Sequence, residues 1–171
     1  TPQHLTIYAP DCYDKLGTYA QMNPPIREIE HQQALWAGIE NGTVDVIGSD
    51  HAPHTREEKE KGYPSSPSGM PGVQTILPVM LDHVANGKLT LEKLVELMCE
   101  TPANMYNLNK GYIKKGFDGD LTIVDPLKSV VLSHSSMATK SGWTPFDGKK
   151  VKGFPVYTIV GGRIIMQHGK I

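Results

Sequence analysis

Val44-Asp45-Val46-Ile47-Gly48-Ser49-Asp50-His51-Ala52-Pro53-His54 is the stretch that decides the fold class. Its first residues are mostly apolar and β-branched, which predicts a buried strand, and from Ser49 onward the chemistry is that of a loop. A strand that delivers an acid and two histidines into the loop at its C-terminal end suits a β/α barrel, where catalytic groups collect at those ends. Asp50 can there bind a divalent metal or accept a proton, and His54 can hydrogen-bond an anionic group of a substrate. The competing reading is an Asx-turn with surface histidines. His51 lies inside the motif on the residue whose side chain should point away from its neighbours, so its role stays open at this level.

Upstream, Leu5-Thr6-Ile7-Tyr8-Ala9 is short, apolar and stopped by Pro10-Asp11, which predicts another buried strand carrying His4. Residues 10–27 read as irregular, and Pro24-Pro25 bars a helix there. Glu28 to Asn41 predicts a helix with Ile29, Leu35, Trp36 and Ile39 as apolar contacts and Asn41-Gly42 as its stop. Downstream, Thr55 and Glu58 fit a capping box. Residues 62–72 are rich in Gly, Pro and Ser, so 59–70 is expected to be a mobile lid hinged at Gly62 and Gly69. Gln74 to Asn86 predicts a helix, and Leu91, Leu94, Val95 and Met98 recur at helical spacing. Thr101-Pro102 opens another short helix.

From Gly119 the pattern becomes short β-rich runs: Leu121–Val124, Ser129–Leu132, Pro155–Val160 and Arg163–Met166, with Gly161-Gly162 as a hairpin signal. Residues 1–118 are therefore expected to be strand–helix alternation and 119–171 a small antiparallel β unit.

Composition excludes several classes. The chain has 171 residues, 39% hydrophobic, with 17 Lys plus Arg against 18 Asp plus Glu, which leaves no basic footprint for nucleic acid. No apolar run approaches the ~20 residues of a membrane span. Two cysteines, Cys12 and Cys99, make no disulfide framework, and no charged-then-apolar leader is present, so a cytoplasmic protein is expected. The chain opens at Thr1 without an initiator Met, and a β/α barrel usually needs ~250 residues, so the expectation is part of a barrel. His31, His83, His134 and His168 are assigned surface or core roles. His4 is a candidate metal ligand because imidazole suits zinc, although His4 and Asp50 fall short of the three protein ligands a catalytic zinc takes.

Thr1-Pro2-Gln3-His4-Leu5, Met22-Asn23-Pro24-Pro25-Ile26-Arg27, Ser49-Asp50-His51-Ala52-Pro53-His54-Thr55 and Gly69-Met70-Pro71-Gly72-Val73-Gln74-Thr75 occur in this order. Together they resemble the C-terminal half of the dihydroorotases, a family of the amidohydrolase superfamily. The Ser-Asp-His-Ala-Pro-His run is specific, since hydantoinases and allantoinases depart from it after Asp-His. Trp143-Thr144-Pro145-Phe146 and the segment from Gly153 to Arg163 extend the resemblance over nearly the whole chain.

The resemblance implies an α/β fold: the C-terminal part of a (β/α)8 TIM-type metal-dependent hydrolase barrel plus the small β unit. It implies two Zn2+ per complete site and interconversion of N-carbamoyl-L-aspartate and L-dihydroorotate in de novo pyrimidine biosynthesis. It makes His4 and Asp50 metal ligands, Asp50 also the proton shuttle, and Asn23, His54 and Gly72 substrate-binding residues. Zinc would supply hydroxide by lowering the pKa of its water to about 7. The family's His-x-His pair, its metal-bridging Lys or Asp and its strand-5 His are not found in these residues. The chain alone is accordingly expected to be incomplete and inactive, its partners being a small-molecule substrate and the N-terminal half of the same barrel. A homodimer and aspartate transcarbamoylase are the macromolecular partners to test for, with no nucleic acid and no membrane. The alternatives are another cyclic-amide hydrolase of the hydantoinase or allantoinase kind, and a non-catalytic subunit that scaffolds aspartate transcarbamoylase.

Overall fold

Thr1-Pro2 opens a helix and not a strand. Pro2 takes a first-turn position, where its missing N–H is no loss, and α1 (Pro2–Thr6) follows, with His4 in its last turn. The strand expected over Leu5–Ala9 is thus replaced by a helical turn and a short extended exit; five apolar residues are too few for periodicity to separate the two. The computed structural model describes residues 1–170, in which α1 is followed by α2 (Asp11–Leu16), a 3-10 turn (Gly17–Ala20) and α3 (Ile29–Glu40). The region read as irregular therefore holds a helix of its own, which ends well before Pro24-Pro25. Its acids Asp11 and Asp14 lie in the first turn and Lys15 in the last, matching the helix dipole.

The chain packs as two units. Thr1–Val44, Gly48–Ile76 and Val131–Lys149 form the first; Asp45–Ile47, Leu77–Val130 and the residues from Lys150 onward form the second. Residues on both sides of position 118 therefore share the second unit.

In the first unit α3 closes over the end of α1. Trp36 donates its indole N–H to the Leu5 carbonyl at 3.1 Å, and Gln32 donates to the Ile7 carbonyl at 3.2 Å, satisfying acceptors that a helix end leaves open. The core is Cys12, Ala20, Met22, Ile26, Met70 and Trp143, with Ile7, Leu16 and Tyr19 against it. Trp143 meets the Tyr19 ring edge-on, centroids 4.9 Å apart. The capping box forms as expected: Thr55 and Glu58 satisfy each other's backbone at the start of α4 (Arg56–Lys59).

In the second unit α5 (Ile76–Ala85) buries Val79, Met80 and Leu81. It is followed by α6 (Leu91–Val95), a π turn (Glu96–Glu100) and α7 (Thr101–Met105). Val44–Gly48, expected as a strand, joins no ladder; its Ile47 N–H donates to the Leu97 carbonyl. The sheet has the order β1 (Leu121–Val131), β2 (Lys150–Val160), β3 (Arg163–Gln167). β1 merges two of the expected strands through Pro126, which an edge strand tolerates because it can leave an N–H unpaired. β2 and β3 are antiparallel, with Val160 opposite Arg163 across Gly161-Gly162, both at positive φ, as the sequence predicts. No helix among the described residues is long and apolar enough to cross a membrane.

The expected lid is tied down. Lys59 is fully buried, and its ammonium donates to the carbonyls of Gln21 at 3.0 Å and Pro67 at 2.8 Å. Gln21 returns a bond to the Ser66 carbonyl, the Gly69 N–H donates to the Gln21 carbonyl, and Ser66 is itself buried. Glycine, proline and serine here serve tight turns around a buried cation.

Burial pushes Lys59 down to about 8 from 10.5. The folded chain then binds that proton less readily than the unfolded one, so the group costs stability below pH 8, and the cost fades as pH rises toward 10.5. Relative to Lys59→Met, the wild type should gain about 2 kcal/mol of unfolding free energy between pH ~7 and ~10, measured by urea denaturation at each pH.

Candidate active site

The sequence-predicted residues His4, Asn23, Asp50, His54 and Gly72 all lie in the first unit. The motif loop runs beside the Gly69–Val73 turn: His51 and Met70 form a parallel bridge, and the Ala52 N–H donates to the Met70 carbonyl at 3.0 Å. Asp50 sits in that loop, exposed, with its backbone in the left-handed region at φ 44°. Aspartate tolerates that conformation better than most side chains.

Gly72 supplies the close approach. A Cβ there would collide with the Ser49 carbonyl oxygen and stand 2.8 Å from Nε2 of Gln3. Its own backbone groups are engaged within the chain: the N–H donates to His51 Nδ1 at 3.0 Å, and the carbonyl accepts from the Thr75 and Ile76 N–H groups. Gly72 thus acts through its missing side chain.

His54 is half-buried and held on three sides. Nε2 lies 3.1 Å from the Ser68 carbonyl, Nδ1 lies 3.8 Å from Glu58, and the His54 carbonyl accepts the Trp143 indole N–H at 2.7 Å. Thr55 hydrogen-bonds to Glu58 and holds its carboxyl below the usual range, so an anion stands beside the imidazole. Asn23 is exposed in the loop before Pro24.

His4 lies within electrostatic reach of Asp50. Nε2 faces the Pro24 carbonyl at 2.9 Å and Nδ1 faces the Thr1 hydroxyl at 2.8 Å. A carbonyl can only accept, so Nε2 carries the proton and Nδ1 accepts from Thr1. Burial pushes the His4 imidazole below its ordinary value, while the Pro24 carbonyl and the nearby Asp50 carboxylate pull it back up. Electrostatic reach to Asp50 is thus present, but both ring nitrogens have partners, and a metal would have to displace one. Two ligands fall short of the three a catalytic zinc takes, and among the described residues no three His, Cys, Asp or Glu side chains gather to hold a metal ion. The residues present do not fit a zinc pair.

Gln3, His51 and Trp143 also build the site, and pattern reading did not single out what they do. Gln3 is 1% exposed and donates to the Ser49 carbonyl at 3.2 Å, next to Asp50. The adjacency of Gln3 to His4, and of His51 to Asp50, was the available signal, but which backbone groups they meet depends on contacts 46 and 21 residues away. His134 is structural, as expected: Nδ1 accepts the Thr144 N–H at 3.1 Å.

The profile of the amidohydrolase family matches residues 23–165. The dihydroorotase of Brevibacillus brevis is 41% identical over 169 residues, covering 98% of this chain and 40% of that protein. The dihydroorotase of Pyrococcus furiosus is 41% identical over 172 residues, covering 100% and 39%. Among solved structures, the L-hydantoinase (dihydropyrimidinase) from Arthrobacter aurescens aligns with a TM-score of 0.95 at 38% identity, covering 99% of this chain and 39% of that one. A D-hydantoinase aligns with a TM-score of 0.90 at 26% identity, again over 99% and 39%. The chain spans about two fifths of the length of these relatives.

Gly72→Ala should destabilise the protein by about 1–3 kcal/mol through overpacking against Ser49 and Gln3, measured by chemical denaturation.

Proposed function

The chain belongs to the amidohydrolase family, and from that premise we propose that it is the C-terminal portion of a barrel enzyme that interconverts N-carbamoyl-L-aspartate and L-dihydroorotate. The observation that carries this reading is the Ser49–His54 loop, which is braced against the Gly69–Val73 turn and leaves the Asp50 carboxylate exposed. In ring opening, Asp50 takes a proton from the attacking water and returns it to the ring nitrogen as the C–N bond breaks. Asn23 offers its amide donors to the substrate's carboxylate and ring amide, and His54 joins it by turning its Nε2–H from the Ser68 carbonyl to the substrate. Gly72 stands in the loop that meets the substrate ring, and its missing side chain lets the Ser49 carbonyl approach beside Asp50. His4 and Asp50 enter the reading as ligands of a zinc pair only in a whole protein that completes the site with residues beyond this chain.

A second reading is hydantoin ring opening, favoured by the 0.95 alignment with the L-hydantoinase. Both reactions hydrolyse a cyclic amide. They differ in the free carboxylate that dihydroorotate presents and His54 with Asn23 would meet. Steady-state assays of the full-length protein on dihydroorotate, a hydantoin and allantoin decide between them. Turnover of hydantoin or allantoin with none of dihydroorotate overturns the first reading, and turnover of none leaves a scaffold subunit.

Asp50→Asn, which keeps a side chain suited to positive φ, should lower kcat by at least ~10²-fold while leaving the melting temperature nearly unchanged. His54→Ala should raise KM for dihydroorotate about tenfold, the value of a lost charge-assisted hydrogen bond, with metal content of the full-length protein unchanged. Loss of metal with His54→Ala would reassign it as a ligand.

A further inference from the structure

We propose that His51 is a positioning residue for this site: by accepting two backbone amides of the neighbouring turn, its imidazole sets the pose in which Asp50 is presented. The proposal rests on the cyclic-amide hydrolase reading above. Nδ1 of His51 takes the N–H of Gly72 at 3.0 Å and of Val73 at 3.3 Å. An imidazole nitrogen that accepts two donors carries no proton, so the tautomer is fixed with hydrogen on Nε2.

Asp50 stands between two pinned neighbours. On one side the Ser49 carbonyl receives the Gln3 amide at 3.2 Å and abuts Gly72; on the other His51 holds the Gly72 and Val73 amides, and Ala52 bonds to Met70. Between these pins the Asp50 backbone takes the left-handed conformation, at φ 44°. Gly72 contributes to both pins, so the turn and the backbone flanking Asp50 share contacts. The bland alternative is that His51 merely fills space. His51 is exposed, so little buried area depends on it, and its two side-chain hydrogen bonds to the turn are what a replacement removes.

The test uses the full-length protein. His51→Asn puts Oδ1 where Nδ1 stands and keeps the acceptor; His51→Leu removes it. His51→Leu should lower kcat for dihydroorotate roughly 10–100-fold with KM changed less than about threefold, and His51→Asn should stay within about threefold of wild type in both. Hydrogen exchange at Gly72 and Val73 should quicken roughly tenfold in His51→Leu and stay slow in His51→Asn. Unchanged kcat in His51→Leu, a loss that Asn does not rescue, or exchange that stays slow in the Leu variant overturns the proposal. If wild type turns over no cyclic amide, the functional reading fails while the exchange comparison still decides His51. If His51→Leu does not fold, the imidazole ¹⁵N shifts of wild type decide: a bare Nδ1 supports the proposal, and a proton on Nδ1 overturns it.

Discussion

Two stretches of backbone, Ser49–Ala52 and Gly69–Val73, lie so close that a single added methyl at Gly72 would strike the Ser49 carbonyl. The candidate site depends on that proximity. It brings the Gly72 amide to His51, gives Ala52 a partner in Met70, and leaves Asp50 to bridge the gap in a left-handed conformation. Met70, fully buried, joins this pairing to the core that holds Trp143 and Met22. A backbone contact thus links the hydrophobic interior to an exposed carboxylate through very few residues.

Support for the turn comes from behind. Lys59 donates to Gln21 and Pro67, Gln21 bonds to Ser66, and the Gly69 N–H bonds back to the Gln21 carbonyl. A buried cation is costly to desolvate, and hydrogen bonds to carbonyls offset part of that cost. Lysine suits the role because its ammonium radiates donors to more than one strand of chain, whereas a hydrocarbon of the same length would leave those carbonyls without it. The same segment carries Ser68, whose carbonyl faces His54, so bracing the turn also orients the second histidine of the motif.

Much of this was legible in the residues. The Thr55–Glu58 cap was legible from its spacing and the Gly161-Gly162 hairpin from its dipeptide, because each is a local rule with a local outcome, and the motif named Asp50 and His54 as candidates. What the pattern misjudged was non-local. Leu5–Ala9 is helix and exit because Pro2 and the donors of α3 close a turn there, and Trp36 and Gln32 are some thirty residues away. Val44–Gly48 has the composition of a strand, but a ladder needs neighbours, and its composition cannot say whether they are at hand. Residues 59–70 have the composition of a flexible loop, yet the feature that fixes them is one buried lysine at their start, which charge patterning assigns to solvent.

Trp143 carries a practical consequence. The chain has two tryptophans, and this one is 1% exposed, stacked edge-on to Tyr19, with its indole N–H on the His54 carbonyl. Its emission therefore reports from inside the motif, on the backbone of a proposed substrate-binding residue. Replacing Trp36 with phenylalanine leaves Trp143 as the single tryptophan, so binding and local unfolding around His54 become signals in tryptophan emission that need no attached dye.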